Sequence, residues 1–153
     1  MANTYNQIFI HLVFAVQNRM SLIMPQWKDE LYKYITGIIT NNKHKLYAIN
    51  GMTDHVHILV SMSPTQSVSD LVKDIKRSSS IWINDKHLVM GKFSWQDGFG
   101  AFSTNLANAD KVVNYILNQE QHHHKVTFQE EYVAFLKEAG IEYNPKYLFI
   151  PPE

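Results

Sequence analysis

Two histidines separated by one residue, His55-Val56-His57, carry the clearest chemical signal in this sequence. On a β-strand, residues i and i+2 point to the same face and lie roughly 6 to 7 Å apart along the chain. Both imidazoles can therefore reach one divalent ion while Val56 turns into the core. The alternative is a pair of surface or half-buried histidines with no chemical role. A histidine-triad nucleotide hydrolase needs a third alternating histidine, and that position is Leu59.

A metal held by two histidines needs at least a third ligand, and the segment around Tyr115 and Gln119 offers polar groups for it. Residues at i and i+4 of a helix lie on one face, about one turn apart. Together with Asn114 and Asn118, they interrupt an apolar stripe with groups able to ligate, donate or attack. The alternative is that Tyr115 is a core aromatic residue whose hydroxyl reaches the rim.

The elements that must position these residues follow from hydrophobic periodicity and turn chemistry. The sequence predicts strands over 5–16, 46–50 and 55–62, and a strand or bent hairpin over 93–102. Helical periodicity predicts helices from 25 to 41 and from the N-cap Ser67 to about 84. A third helix starts at Asn108 or Asp110, and a fourth runs over 127–139 and stops at Gly140.

This element order predicts an α+β fold of the ferredoxin-like, RRM-like type. It consists of a split βαβ antiparallel sheet with helices on one face, plus C-terminal helices that carry Tyr115. We expect one domain over 1–153, with a sheet-and-helix core over about 1–107, a tyrosine helix over 108–125, and a C-terminal helix and tail over 126–153.

Composition excludes several classes of protein. The chain has 153 residues and no cysteine, which rules out disulfide scaffolds, thiolate metal sites and cysteine nucleophiles. The longest wholly apolar runs are five residues, whereas about 20 are needed to span a bilayer. The uncharged N-terminal stretch has no basic leader, so we expect neither a secretory signal nor membrane insertion. With 14 basic and 14 acidic residues, the formal net charge is zero. That balance argues against binding nucleic acid mainly through bulk electrostatics.

Three segments together resemble the motifs of a known family. His55-Val56-His57, within residues 51–60, resembles the His-hydrophobic-His (HUH) motif of the single-tyrosine transposases of small bacterial and archaeal insertion sequences. The segment from Tyr115 to Gln119 is similar to the tyrosine motif of that family, and residues 95–100 are similar to its Trp-Gln-x-Gly segment. The motifs occur in the family's order and cover most of the chain, so the ordered set is much more specific than any one of them.

The resemblance implies an enzyme that cuts and rejoins single-stranded DNA with hairpin ends. Tyr115 would attack a phosphodiester and form a 5′-phosphotyrosine link, while His55, His57 and Gln119 would hold Mg²⁺ or Mn²⁺ beside it. It also implies rejoining without a nucleotide cofactor, a homodimer in which the tyrosine helix acts in cis or in trans, and a cytoplasmic, nucleoid-associated protein of a bacterium or archaeon.

DNA binding by a neutral chain requires an uneven distribution of charge. Seven of the 14 basic residues lie between Lys43 and Lys92, with four acidic residues, whereas the chain from Glu120 onward has six acidic residues and three lysines. We expect phosphate contacts from the second helix and stacking of a base on an aromatic side chain. The residues assigned to these contacts are Lys76, Arg77, Ser78 and Trp95. The alternatives are a solvated helix face and aromatic residues of the core.

Two other functions remain open. A domesticated relative, of the kind associated with repetitive extragenic palindromes (REP), would apply the same chemistry to host repeats, although the position of Gln119 favours the insertion-sequence branch. A non-catalytic module that binds single-stranded nucleic acid is the second, because similar sheets also recognise RNA. It would leave the joint occurrence of His55, His57, Tyr115 and Gln119 unexplained.

Overall fold

The structure, a computed structural model, describes residues 4–145 and 148 and is built on a four-stranded antiparallel sheet in the order β2-β3-β1-β4. The strands are β1 (Phe9–Ala15), β2 (Lys45–Met52), β3 (His55–Ser61) and β4 (Gly100–Thr104). The helices are α1 (Lys28–Asn41), α2 (Val68–Asp85), α3 (Leu106–Leu117), α4 (Gln119–His122) and α5 (Phe128–Glu138). The predicted α+β, ferredoxin-like class and the order of its elements are confirmed.

The strict alternation of side chains along β1 and β3 gives the sheet two different apolar faces. One face, which includes Phe14 and Ile58, packs against α1 and α2 in the largest cluster of buried residues. The opposite face carries Val13 and Ala15 against α5, while Leu59 packs against α3. Because His55 and His57 have the parity of Leu59, they lie on the face covered by α3 and α5.

The hairpin between β2 and β3 fixes the register of the two histidines. His57 lies opposite Asn50 on β2 and opposite Val13 on β1, so it sits in the middle of three paired strands. The hairpin closes tightly at Gly51, where an added Cβ would overlap the carbonyl oxygen of His55. Any larger residue there would push apart the strands that hold the histidines.

Beyond shifts of a few residues at the ends of elements, such as β1 and α1, the structure differs from the sequence prediction in two segments. In place of the strand or hairpin predicted over 93–102, the regular strand is Gly100–Thr104, and before it Trp95 makes an isolated bridge with Val16. The predicted tyrosine helix over 108–125 begins earlier, because the side chain of Asn105 caps it, and it is interrupted at Asn118. At that break, the side-chain amide of Asn50 donates to the carbonyl oxygens of residues 116 and 117, which helps to end the helix there.

The start of α2 and the end of α5 follow the predicted capping chemistry, whereas α1 begins without a side-chain cap. Ser67 caps α2 through the backbone N–H of Asp70, and Thr127 caps α5 in a capping box with Glu130. Gly140, with φ of +67°, follows α5 in the left-handed conformation that favours glycine. The part of the predicted C-terminal tail that falls on residues 146, 147 and 149–153 lies outside the described residues. In the part of the chain that is described, no helix is long and apolar enough to cross a membrane.

Candidate metal and tyrosine site

The face of the sheet covered by α3 and α5 holds a buried cluster of metal-ligating side chains. His55 and His57 project from β3, and Gln119 reaches them from the first position of α4. All three side chains are almost completely buried, with 0 to 1% exposure. The Oε1 atom of Gln119 lies 3.3 Å from His55 Nε2. The structure thus brings together the three residues that the sequence nominated as metal ligands.

Hydrogen bonds on the outer side of His55 determine which nitrogen faces the cluster. His55 Nδ1 lies 2.7 Å from Asp54 Oδ1, and an ionised carboxylate only accepts, so Nδ1 carries the proton. Burial would raise the pKa of Asp54, but the hydrogen bond from His55 and the nearby Arg19 hold it below its usual range. Arg19 also contacts Asp54 at 3.3 Å. The lone pair of His55 Nε2 is therefore directed into the cluster.

The middle of the cluster brings several acceptor atoms together without a matching donor. His123 Nδ1 donates to the carbonyl oxygen of Val126, which leaves its Nε2 lone pair 3.0 Å from Gln119 Oε1. Two imidazole lone pairs and an amide oxygen therefore face one another. A proton on His123 Nε2 would serve Gln119 Oε1 and Glu131 Oε2 and would still leave the lone pair of His55 facing Gln119. A divalent cation would satisfy all three, so the residues present fit a metal.

His57 is held on both sides by buried partners. Its Nδ1 lies 2.9 Å from His11 Nε2, and its Nε2 lies 2.8 Å from Glu131 Oε1. His11 is therefore able to accept the Nδ1 proton when Nε2 coordinates a metal. Burial lowers the pKa of His57 to about 4 and that of His11 to about 3, so both imidazoles are neutral at pH 7. Only neutral imidazoles can serve as metal ligands.

Glu131 is the site residue that sequence reasoning missed. It lies on α5 with only 3% exposure, and its Oε1 lies 3.9 Å from His55 Nε2. One ligand atom from each of His55, His57, His123 and Glu131 lies within 4.8 Å of the others. The signal that could have found Glu131 is its place on the apolar stripe of α5, next to Tyr132, where a carboxylate is costly to bury without partners.

Tyr115 lies beside this cluster within the same chain. Its ring centroid is 5.8 Å from that of His57, and its hydroxyl donates to Glu131 Oε2. His122 Nε2 lies 3.2 Å from the same hydroxyl. Burial raises the pKa of Tyr115 above its usual value, and the carboxylate of Glu131 adds to the effect. The phenol is therefore protonated at neutral pH and must lose its proton if it is to attack.

Of the three consecutive histidines over residues 122–124, two face the cluster and one faces solvent. His122 and His123 point back towards Glu131, with Nε2 to Oε2 distances of 2.9 and 3.4 Å respectively. His124 is exposed. The sequence alone did not assign roles to these three residues, because the break at Asn118 decides which of them faces the cluster.

The four residues expected to contact DNA lie away from this cluster, on or near α2, and one of them is buried. Trp95 is 8% exposed, packs edge-on against Phe14 and Phe93, and donates through Nε1 to Ser79 Oγ at 2.9 Å. Its role as a stacking platform for DNA is inconsistent with this structure, because its ring belongs to the core. Ser78 is half-buried.

The two basic residues of α2 differ in how free their charges are. Lys76 Nζ donates to the carbonyl oxygens of Gln96 and Gly98, at 2.7 and 2.6 Å. Burial lowers the pKa of Lys76 to about 8, although Asp97 opposes the shift. Arg77, the next residue of α2, is exposed. Both lie on the opposite face of the sheet from His57, near the loop that enters β4.

A cavity of about 630 Å³ opens beside Tyr115, between β4, α3 and α5. Its walls include His11 and the stacked rings of Phe102 and Phe135, whose centroids are 5.3 Å apart. Lys111 supplies a positive charge at its edge. An aromatic wall, a cation and a nearby hydroxyl are groups that suit a nucleotide.

Comparisons of the sequence match this chain to transposases. A family model described as IS200-like transposase matches residues 4–119. The ISDra2 transposase TnpA of Deinococcus radiodurans is 31% identical over 74 residues, which are 48% of this chain and 53% of that protein. The chain therefore spans about half the length of the curated relative it matches.

Two solved structures share the fold. A candidate transposase from Deinococcus radiodurans R1 has 24% identity and a TM-score of 0.63, with 78% of this chain and 95% of that chain covered. A REP-associated tyrosine transposase bound to a REP hairpin has 14% identity and a TM-score of 0.61, with 100% and 96% covered.

Proposed function

This chain belongs to the family of IS200-like transposases, and from that premise we propose that it cleaves and rejoins single-stranded DNA at the ends of an insertion sequence. The observation that carries the proposal is the convergence of His55, His57 and Gln119 next to the hydroxyl of Tyr115. This arrangement places a potential nucleophile beside a potential Lewis-acid site, as phosphodiester cleavage by a phenol requires.

Each residue has a distinct role in the proposed reaction. His55 Nε2, His57 Nε2 and Gln119 Oε1 would hold Mg²⁺ or Mn²⁺. When bound there, the ion neutralises charge on the scissile phosphate. Asp54 and His11 accept the Nδ1 protons of the two histidines and so orient their rings.

The covalent step exchanges one phosphate ester for another. Tyr115 Oη attacks phosphorus, the bond from phosphorus to the 3′ oxygen breaks, and a 5′-phosphotyrosine forms. The phenolic proton leaves to Glu131 Oε2, which already accepts the hydroxyl's hydrogen bond. The departing 3′ oxygen takes a proton from solvent and becomes a hydroxyl. Because the ester bond is conserved, a 3′-hydroxyl can reverse the step without a nucleotide cofactor.

The cavity beside Tyr115 offers a place for the nucleotide next to the scissile phosphate. The rings of Phe102 and Phe135 can support a base, and Lys111 can contact a phosphate. Arg77 and Lys76 lie near the loop before β4, at the same end of the sheet as His55 and Ala15. We propose that hairpin DNA contacts this edge while its single strand enters the cavity.

The homodimer, the cytoplasmic and nucleoid-associated location, and the single domain over 1–153 are part of the same proposal. The position of Tyr115 next to His57 of its own chain supports action in cis. Sedimentation of the purified protein with and without hairpin DNA measures its oligomeric state directly.

Host palindromic repeats are the second candidate substrate. The REP-associated transposase aligns with the full length of this chain, including the segment beyond residue 119. Hairpins from repeats of the host genome therefore belong in the same assay as hairpins from the ends of the element. A pure binding module is disfavoured, because it has no use for the converging acceptor atoms.

Formation of a covalent adduct tests the proposed function. The protein is incubated with single-stranded hairpins from the DNA that flanks its gene, with Mn²⁺, with Mg²⁺ or with EDTA, and analysed on a denaturing gel. We expect an adduct with either metal and none with EDTA. The substitution Tyr115→Phe removes the nucleophile, so it should abolish the adduct and leave DNA binding within about twofold.

Tyr5→Phe is the matched control, because Tyr5 is a phenol that is 90% exposed and remote from the cluster. It should form the adduct at the normal rate. An adduct that persists in the Tyr115→Phe variant would refute the assignment of the nucleophile. Binding without any adduct in the unsubstituted protein would favour the non-catalytic module.

A further inference from the structure

We propose that Glu131 is an additional, anionic ligand of the metal, so that the C-terminal helix α5 is part of the catalytic site. This inference rests on the proposed function, because it concerns the same ion. It goes beyond the family match, which ends at residue 119, and beyond the ligand set of His55, His57 and Gln119.

The two oxygens of Glu131 face different partners. Oε1 lies 2.8 Å from His57 Nε2 and 3.9 Å from His55 Nε2, on the side where the histidine nitrogens converge. Oε2 accepts from Tyr115 and lies 3.4 Å from Gln119 Nε2. Neighbouring ligands of one octahedral ion are about 3 Å apart and opposite ligands about 4 Å. The distance from Oε1 to His57 Nε2 fits a pair of neighbouring ligands, and the distance to His55 Nε2 fits a pair of opposite ligands.

The burial of Glu131 also calls for a positive charge. A carboxylate with 3% exposure needs a compensating cation, since an isolated buried charge is very costly. Among the described residues, the basic side chains within 3.9 Å of the Glu131 carboxylate are all histidines, namely His55, His57, His122 and His123. A neutral histidine brings no compensating charge. Arg19, the nearest buried guanidinium, pairs with Asp54 instead. A divalent ion bound to Oε1 would supply positive charge here, and carboxylate oxygen is a ligand that Mg²⁺ and Mn²⁺ prefer.

The position of Glu131 is fixed by the way α5 docks on the sheet. The capping box of Thr127 and Glu130 sets the first turn of the helix, in which Glu131 lies. Phe128 stacks on the ring of His55 with 4.0 Å between ring centroids, and Leu136 packs in the same cluster as Val13. A ligand on α5 therefore ties this helix to β3 through the ion. Metal binding should stabilise the docked helix by linkage.

Metal affinity tests the proposal independently of DNA cleavage. Mn²⁺ is titrated into the full-length protein by calorimetry, without DNA, for the unsubstituted protein and for Glu131→Gln. Replacement of the anionic carboxylate by a neutral amide should weaken Mn²⁺ binding by about tenfold or more. Glu130→Gln is the matched control: the neighbouring Glu130 is exposed, and glutamine also serves in a capping box, so its affinity should be unchanged.

His57→Ala separates this inference from the proposed function. If Glu131→Gln binds Mn²⁺ normally while His57→Ala does not, Glu131 is not an anionic ligand and the proposed metal site stands. If His57→Ala also binds normally, the proposed metal site itself is wrong.

Hydrogen exchange keeps the proposal testable if Glu131→Gln folds poorly. In the unsubstituted protein, Mn²⁺ should slow exchange of the backbone amides of residues 132–136 by at least about tenfold, because the ion holds α5 on the sheet. Slowing confined to β3 and α4, with α5 unchanged, would overturn the proposal.

Discussion

At the level of single residues, the two motif histidines depend on different neighbours for their chemistry. Asp54 holds the proton of His55 on Nδ1, and His11 is the corresponding partner of His57. Both neighbours lie outside the set of metal ligands, yet they decide which nitrogen points into the cluster. The sequence places Asp54 directly before His55 but gives no sign that its side chain turns back towards the ring.

Removal of this orienting carboxylate should weaken metal binding. In Asp54→Ala, His55 Nδ1 loses its acceptor and Arg19 loses its partner, so the ring is free to change tautomer or rotate. We expect Mn²⁺ affinity to fall by about 10- to 100-fold, as measured by calorimetry. Asp97→Ala, at an exposed loop position, is the control. Equal affinities of the two variants would show that Asp54 does not position His55.

At the level of elements, the site depends on a helix that ends at the right residue. If one unbroken helix ran over 108–125, helical spacing alone would set the directions of His122, His123 and His124. The structure instead ends α3 at Leu117, where Asn50 on β2 holds its last carbonyl groups, and starts α4 at Gln119. This break brings Gln119 and His123 into the cluster while Tyr115 stays beside it.

The helix α2 provides the clearest element-scale test of DNA binding. The charge of Arg77 is exposed, whereas Lys76 is engaged by two carbonyl groups and its substitution would also disturb the loop before β4. Arg77→Gln should weaken hairpin binding several-fold and reduce the slope of log K against log salt by about one unit. Fluorescence anisotropy of labelled hairpin DNA, recorded from about 50 to about 200 mM salt, measures the affinity and the salt slope.

Lys33→Gln is the control for that experiment, since Lys33 is an exposed charge on α1. It should change the salt slope less than Arg77→Gln does. If the two variants bind alike at every salt concentration, α2 is not part of the interface.

At the level of the whole molecule, the burial of neutral histidines makes the folded state less stable at acidic pH. Burial lowers the pKa of His11 to about 3 and that of His57 to about 4, whereas both titrate near 6.5 in an unfolded chain. Between about pH 4 and about pH 6.5, the unfolded state therefore binds more protons than the folded state. The free energy of unfolding must therefore fall as the pH decreases from about 6.5 to about 4.

Urea unfolding in EDTA over this pH range measures the effect. Two protons bound only in the unfolded state give a slope of about 2.7 kcal/mol per pH unit near pH 5. His11→Gln removes one of the two groups and should roughly halve that slope. The raised pKa of His123 contributes stability that is already complete below about 6.5, so it adds no slope here. A free energy of unfolding that stays constant from pH 6.5 to 4.5 would contradict the prediction.

The sequence by itself determined the fold class, the family and the nomination of His55, His57, Tyr115 and Gln119. The fold class follows from local patterns such as the alternation on β3, the helical spacing after Asn108 and the capping residue Ser67, whereas the family and the four residues follow from the resemblance of the motifs. Local patterns can be recognised in the sequence because they depend on backbone geometry within a few residues.

Only the tertiary structure decided how distant segments meet. It buried Trp95 in the core, separated Arg77 from the cluster by the thickness of the sheet, and brought Glu131 of α5 within hydrogen-bonding distance of His57. Such contacts join residues 74 positions apart, and no short-range pattern encodes them. They arise because α5 must cover the apolar surface of Val13 and Ala15, and covering it brings Glu131 to the histidines.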